Sequence, residues 1–178
     1  MAGFLFRSLS MVLALVLMAL PGQAARETDS YDGNIFALYA GNGSLVPPAT
    51  TLAESQSAGR TSVLVYYLDD SSTSKVFSSS VSELQRVWGN SVDLLPLTTD
   101  ALQDRGDQGQ SDPAHYWKGV VPQVVVLDGN GAVILDSEGQ VPLEEINAAI
   151  SAATGIPAPT GGSTSLSFNE LNTEVISR

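Results

Sequence analysis

Two kinds of apolar run punctuate this chain. Met11 to Leu20 is an unbroken apolar stretch, preceded by a single cation at Arg7 and followed by the small residues of Pro21-Gly22-Gln23-Ala24-Ala25. That pattern predicts an export signal, shorter than the ~20 residues that span a bilayer comfortably, with cleavage after Ala24 or Ala25. Left uncleaved and extended by Phe4-Leu5-Phe6, the same stretch would serve as a membrane anchor. The other runs, Val63-Leu64-Val65-Tyr66-Tyr67-Leu68 and Val124-Val125-Val126-Leu127, are short, rich in strand-forming residues and bounded by turn signals. Such runs predict strands buried on both faces.

The segments between them carry helix and turn signatures. Thr51 and Glu54 fit a capping box, which predicts a helix from Leu52 to Ala58 stopped by Gly59. Phe77, Val81, Leu84 and Trp88, at spacings of four, three and four, form one apolar helical stripe that ends at Gly89-Asn90. Val92 to Leu97 predicts another strand, and Pro96 argues against a fully paired central position for it. Asp112-Pro113 predicts a capped short helix through His115, Tyr116 and Trp117, closed by Gly119. Asp128-Gly129-Asn130-Gly131 joins Val124–Leu127 to Ala132–Asp136 as a hairpin. Pro142 to Ala153 reads as a helix with Leu143, Ile146, Ala149 and Ile150 on its inner face. Tyr31 to Pro48, with Ile35-Phe36-Ala37-Leu38-Tyr39 and the turn Gly41-Asn42-Gly43, reads as a short hairpin or irregular strand. Strand, helix, strand, helix, hairpin, helix is an α/β order with a mixed central sheet flanked by helices. The expected organisation is a signal or anchor over 1–25, a folded domain over 31–155 and a flexible tail over 156–178, rich in Pro, Gly, Ser and Thr as far as Ser167.

Composition narrows the chemistry. The 178 residues carry a net charge of −11, which disfavours nucleic acid and anionic lipid, so membrane association is expected through the N-terminal segment or a protein partner. There is no cysteine, hence no disulfide staple and no thiolate nucleophile.

That absence matters because of what the chain resembles. Val63 to Lys75 resembles the part of a thioredoxin domain that leads into its active-site loop. Trp117 to Gln123 resembles the part that sets a cis-proline beside that loop. The resemblance implies a thioredoxin-like fold in which Ser71 and Ser74 stand near the two cysteine positions and Lys75 follows them. It also implies that Val121-Pro122 is the residue and cis-proline pair that binds an extended backbone. Val121 and Pro122, flanked by Trp117 and by the Asp69, Asp70, Ser71, Ser74 and Lys75 loop, are therefore the candidate partner-binding residues. Without thiols the scaffold is redox-inactive, and no catalytic residue, cofactor or metal is expected.

A narrower likeness spans the signal, Tyr31-Asp32-Gly33-Asn34-Ile35-Phe36-Ala37-Leu38-Tyr39 and Val121-Pro122-Gln123. Through these the chain resembles the cyanobacterial thylakoid membrane photosystem I accumulation factor family. The likeness implies a location at the thylakoid membrane or in its lumen, and a role in accumulating or assembling photosystem I by binding its subunits or assembly intermediates. The periplasm is the alternative location. Two other function classes stay open: a hydrolytic or metal-dependent enzyme using Asp69, Asp70 and His115, and a structural subunit of a membrane complex.

Each candidate also has a structural explanation. Asp69-Asp70 suits capping and solvation better than acid/base work, since adjacent residues in extended chain point apart. Ser71 to Ser74 suits N-capping, because a nucleophilic serine needs a base and an oxyanion hole. His115, the only histidine, reads as a helix-surface residue. The acidic linker with Asp100, Asp104, Asp107 and Asp112 reads as a solvated loop rather than a cation site. Phe168-Asn169-Glu170-Leu171 and Val175-Ile176 in the tail offer a docking segment or a disordered end.

Overall fold

The computed structural model describes residues 25–103 and 105–158. The apolar stretch 11–20 and the tail segments from Phe168 onward lie outside the described residues. Among the described residues, no helix is long and apolar enough to cross a membrane.

The element order follows the local chemistry. Helix α1 (Ile35–Tyr39) and helix α2 (Leu52–Ser57) precede strand β1 (Ser62–Tyr67), helix α3 (Ser72–Trp88) and strand β2 (Asp93–Thr98). Strands β3 (Gln123–Leu127) and β4 (Val133–Glu138) form the hairpin, and helix α4 (Leu143–Thr154) closes the domain. The predicted capping box opens α2: Thr51 Oγ1 accepts from the Glu54 N–H at 3.2 Å, and Glu54 Oε2 accepts from the Thr51 N–H at 2.9 Å. Asp128 Oδ1 accepts from the N–H groups of Asn130 and Ala132 at 2.8 and 2.9 Å, which shapes the hairpin turn from within.

The four strands lie in the order β2-β1-β3-β4, with β1 parallel to β2 and the other two pairings antiparallel. Side-chain alternation divides the core into two layers. Val63, Val65, Tyr67, Val124 and Val126 face α1, α3 and α4, where Phe77, Val81, Leu84, Trp88, Ile146 and Ile150 pack against them. Leu64, Tyr66, Val125 and Leu127 face α2 and the linker, meeting Leu52, Leu102 and Tyr116. This is the mixed α/β arrangement that the strand and helix order predicts, and it has the thioredoxin-like form that the resemblance implies.

The proline of β2 explains that strand's place. The Asp93 N–H bonds the Thr61 carbonyl at 2.9 Å, so residues 93, 95 and 97 turn their backbone groups toward β1. Pro96 therefore directs its missing N–H to the open edge, where no ladder bond is lost.

Two expectations are corrected. The Tyr31 to Pro48 stretch is helical, not a hairpin or strand: α1 is followed by a 3-10 turn at Gly43–Leu45. Asn34 caps α1 by accepting the Ala37 N–H at 3.0 Å, and Phe36 packs edge-on against Tyr67 at 4.9 Å between ring centroids. A single helical turn is too short to display a 3.6-residue period. The helix expected through Trp117 shrinks to a 3-10 turn at Pro113–His115, capped by Asp112.

The hairpin tip abuts the turn between α2 and β1. A Cβ on Gly129 would clash with the Gly59 carbonyl oxygen, with backbone on both sides and nothing flexible to yield. Gly129→Ala should therefore lower stability by about 1–3 kcal/mol, read as a shift in the urea midpoint at constant slope.

Candidate partner-binding site

The site is built where the N-terminus of α3 meets the approach to β3. Ser71 caps α3, its Oγ accepting the Ser74 N–H at 3.3 Å. Ser74 is buried, and its Oγ accepts from the Leu68 N–H at 3.2 Å. The two hydroxyls at the positions that the resemblance assigns to thiols thus complete backbone bonding at the end of β1 and the start of α3. Opposite them the Val121–Pro122 peptide is cis. Thr73 Oγ1 donates to the Val121 carbonyl at 3.3 Å, and Gln140 Nε2 donates to the Thr73 carbonyl at 2.7 Å. The Ser71–Ser74 turn and Val121-Pro122 are brought together, as expected, with Thr73 and Gln140 as the links.

Val121 does not sit on a sheet edge. It precedes β3, an interior strand, and the Pro122 carbonyl already accepts the Gly139 N–H at 2.7 Å. An extended segment would meet the end of the sheet rather than its side.

Gln123 fixes the approach to that end. It is fully buried, and its amide donates to the Tyr116 carbonyl at 2.8 Å and to Asp136 Oδ1 at 2.9 Å, while Oε1 accepts the Lys118 N–H at 3.1 Å. Trp117, held by this clamp, is half-buried and packs at a tilt of 35° against Tyr66, 5.3 Å between centroids. Asp136 also pairs with Lys118 Nζ at 2.8 Å. A lone glutamine beside a proline gives no periodic signal, so the sequence did not single out Gln123 for this role.

Lys75 departs from its expected place beside a partner. Its side chain is fully buried, and Nζ lies within 3.3 Å of five oxygens: the carbonyls of Ala25, Thr28 and Ser30, the Ser30 hydroxyl and Asp32 Oδ2. An ammonium has three donors, so every hydrogen is shared or filled from within the chain. Residues 25–32 wrap around this charge as a strap on α3. Asp29 Oδ1 accepts the Ser72 N–H at 2.8 Å, a carboxylate at the positive end of the helix. Arg26 Nη2 donates to the Val76 carbonyl at 3.2 Å and to Ser79 Oγ at 3.1 Å. Bonds from Ser72 hold the Asp29 carboxyl below its ordinary value, and the Lys75 ammonium, helped by Tyr39, does the same for Asp32. The strap was not foreseen, because nothing in Arg26-Glu27-Thr28-Asp29-Ser30 has a period.

Asp69 and Asp70 diverge. Asp69 Oδ1 accepts the Ile35 N–H at 3.1 Å, joining α1 to the end of β1, whereas Asp70 is exposed. Burial pushes the Asp69 carboxyl above its ordinary value against the Ile35 bond, and Asp100 and Asp70 add to the rise. His115 lies in the 3-10 turn with Nδ1 2.8 Å from Asp107 Oδ2. No group of three His, Asp or Glu that could hold a metal occurs among the described residues.

The sequence comparison decides the family. The chain is 38% identical over 156 residues to the thylakoid membrane protein slr1796 of Synechocystis sp. (strain ATCC 27184 / PCC 6803 / Kazusa), covering 86% of this chain and 77% of that protein. The chain belongs to that protein's family. No family model matches it. Among solved structures, a yeast mitochondrial 1-Cys peroxiredoxin aligns with a TM-score of 0.43 at 15% identity, over 61% of this chain and 96% of that one. An HIV epitope scaffold aligns at 0.37 and 18% identity, over 66% and 71%.

Two outcomes test this geometry. Lys75→Met leaves Asp32 and three carbonyls without their cation and should lower stability by about 3 kcal/mol, with amide exchange rising first in residues 25–32. For Asp69 the raised folded value means that the native state loses stability as pH rises through it. Asp69→Asn keeps an acceptor for the Ile35 N–H and removes that loss, so its Tm relative to the parent chain should be higher at pH 7 than at pH 4.

Proposed function

We propose that this chain is a thylakoid-associated, redox-inactive thioredoxin-like accessory factor that binds an extended segment of a protein partner and supports the accumulation or assembly of photosystem I. The observation that carries the reading is the pairing at the end of the sheet. Ser71 and Ser74 spend their hydroxyls on backbone caps, while the neighbouring Val121-Pro122 apposition is kept in place by Thr73, Gln140 and Gln123. A site with the backbone geometry and without the thiols is suited to holding a chain rather than to exchanging its disulfides. Membership in the family of a thylakoid membrane protein supports the location. The photosystem I role rests on the likeness of the Tyr31–Tyr39 and Val121–Gln123 segments to the accumulation-factor family.

Within this reading Val121 supplies backbone contact, Trp117 offers an aromatic surface beside it, and exposed Val120 extends the apolar approach. Asp70 and Ser71 rim the opening. Lys75 and Asp69 act from behind, by holding the strap and α1.

Affinity isolation of the tagged full chain from its own membranes, after brief crosslinking, should recover photosystem I subunits or assembly intermediates in substoichiometric amounts. Val121→Arg places a charge at the opening without touching the core and should abolish that recovery, while Trp117→Ala should weaken it. Undiminished capture by both variants would overturn the site. Constant stoichiometry with one complex would replace the assembly role with that of a permanent subunit. Normal photosystem I levels in a deletion strain, with no photosystem I component captured, would overturn the role itself.

A further inference from the structure

A cavity of about 400 Å³ opens between α2, the free edge of β2 and the linker that follows it. That volume falls in the range of small-molecule sites, about 300–1,000 Å³. Its surface is apolar: Pro47, Leu52, Leu95, Leu97 and Leu102 contribute to it, and none of the described lining residues is Asp or Glu. In a chain with 19 acidic residues, a groove without a carboxylate among its described lining residues stands apart.

The polar groups of the groove are nearly all committed. Thr50 and Thr51 donate their hydroxyls to Glu54 Oε2 at 3.2 and 2.8 Å, and Thr98 donates to Asp100 Oδ2 at 3.3 Å. Arg105 is the one charged residue among the described lining residues. Buried Asp112 orients it by accepting from Nη2, and Asp112 is itself held by the Ala114 N–H at 3.1 Å. A guanidinium carries five N–H donors in a fixed fork, so donors remain for a second acceptor.

We propose that this cavity binds an amphiphile, an apolar chain seated against Leu95, Leu97 and Leu102 whose anionic head group bonds Arg105. A carboxylate and a lipid phosphate share that chemistry. The head group completes the Arg105 fork, and the chain covers apolar surface that water otherwise wets.

Photolabelling of the full chain in its native membranes with diazirine-bearing dodecanoate tests this, with the labelled peptides located by mass spectrometry. Label should concentrate in residues 46–53 and 95–102. Ala101→Trp fills the cavity from an exposed position that leaves the core intact, and should cut that label about tenfold. Arg105→Gln should weaken labelling by dodecanoate about tenfold and leave labelling by the matching dodecanol probe unchanged. A photoreactive lysophosphatidate used beside dodecanoate shows whether phosphate or carboxylate is preferred. Label confined to residues 1–24, or equal label in parent chain and Ala101→Trp, would overturn the proposal. So would labelling insensitive to Arg105→Gln but displaced by an extended apolar peptide, which would assign the groove to strand addition on the open β2 edge.

Discussion

The desolvated ammonium of Lys75 is the constraint around which this end of the molecule is arranged. A fully buried cation is tolerated only where oxygens surround it, because the loss of hydration otherwise outweighs any packing gain. Here the chain before α1 supplies those oxygens, so a segment without periodicity or apolar content becomes part of the folded structure. Once in place, the strap delivers Asp29 to the first turn of α3 and Arg26 to its flank. The charge in the helix thus determines how residues 25–32 are held against α3.

The same economy of hydrogen bonds shapes the site. At a strand-to-helix junction the last strand amides and the first helix amides all need acceptors. Ser71, Ser74 and Asp29 meet that need with side chains, which leaves the turn rigid and its hydroxyls engaged. Across from it, Gln123 secures one side of the β3 approach and Gln140 the other. Neutral amides suit these positions, since they donate to Asp136 and to the Thr73 carbonyl, and Gln123 also accepts, without bringing a further charge beside Asp136 or the α3 terminus.

The two faces of the sheet have different consequences. The face under α1, α3 and α4 is a closed core, and the site lies at its rim. Among the described residues, the other face is covered by a short helix and an acidic linker, and β2 ends the sheet without a neighbour on its outer side. Pro96 blunts that edge by removing one donor, which weakens the template for edge-to-edge pairing.

Elements with a period or a compact motif were legible in the chain itself. The β1 and β3 runs, the Phe77–Trp88 stripe, the Thr51–Glu54 box and the Asp128 turn act over a few residues, so local sequence contains their physics. The lack of cysteine likewise showed from sequence alone that the chain has no thiol of its own. Tertiary structure decided the rest, because it depended on partners distant in the chain. Ile35–Tyr39 is a helix since Tyr67 and Asp69 receive it, and Lys75 faces inward since residues 25–32 fold over it. Gln123 matters only because Tyr116, Lys118 and Asp136 converge on it. No window of sequence shows such convergence, since the energy lies in contacts between segments and not within any one of them.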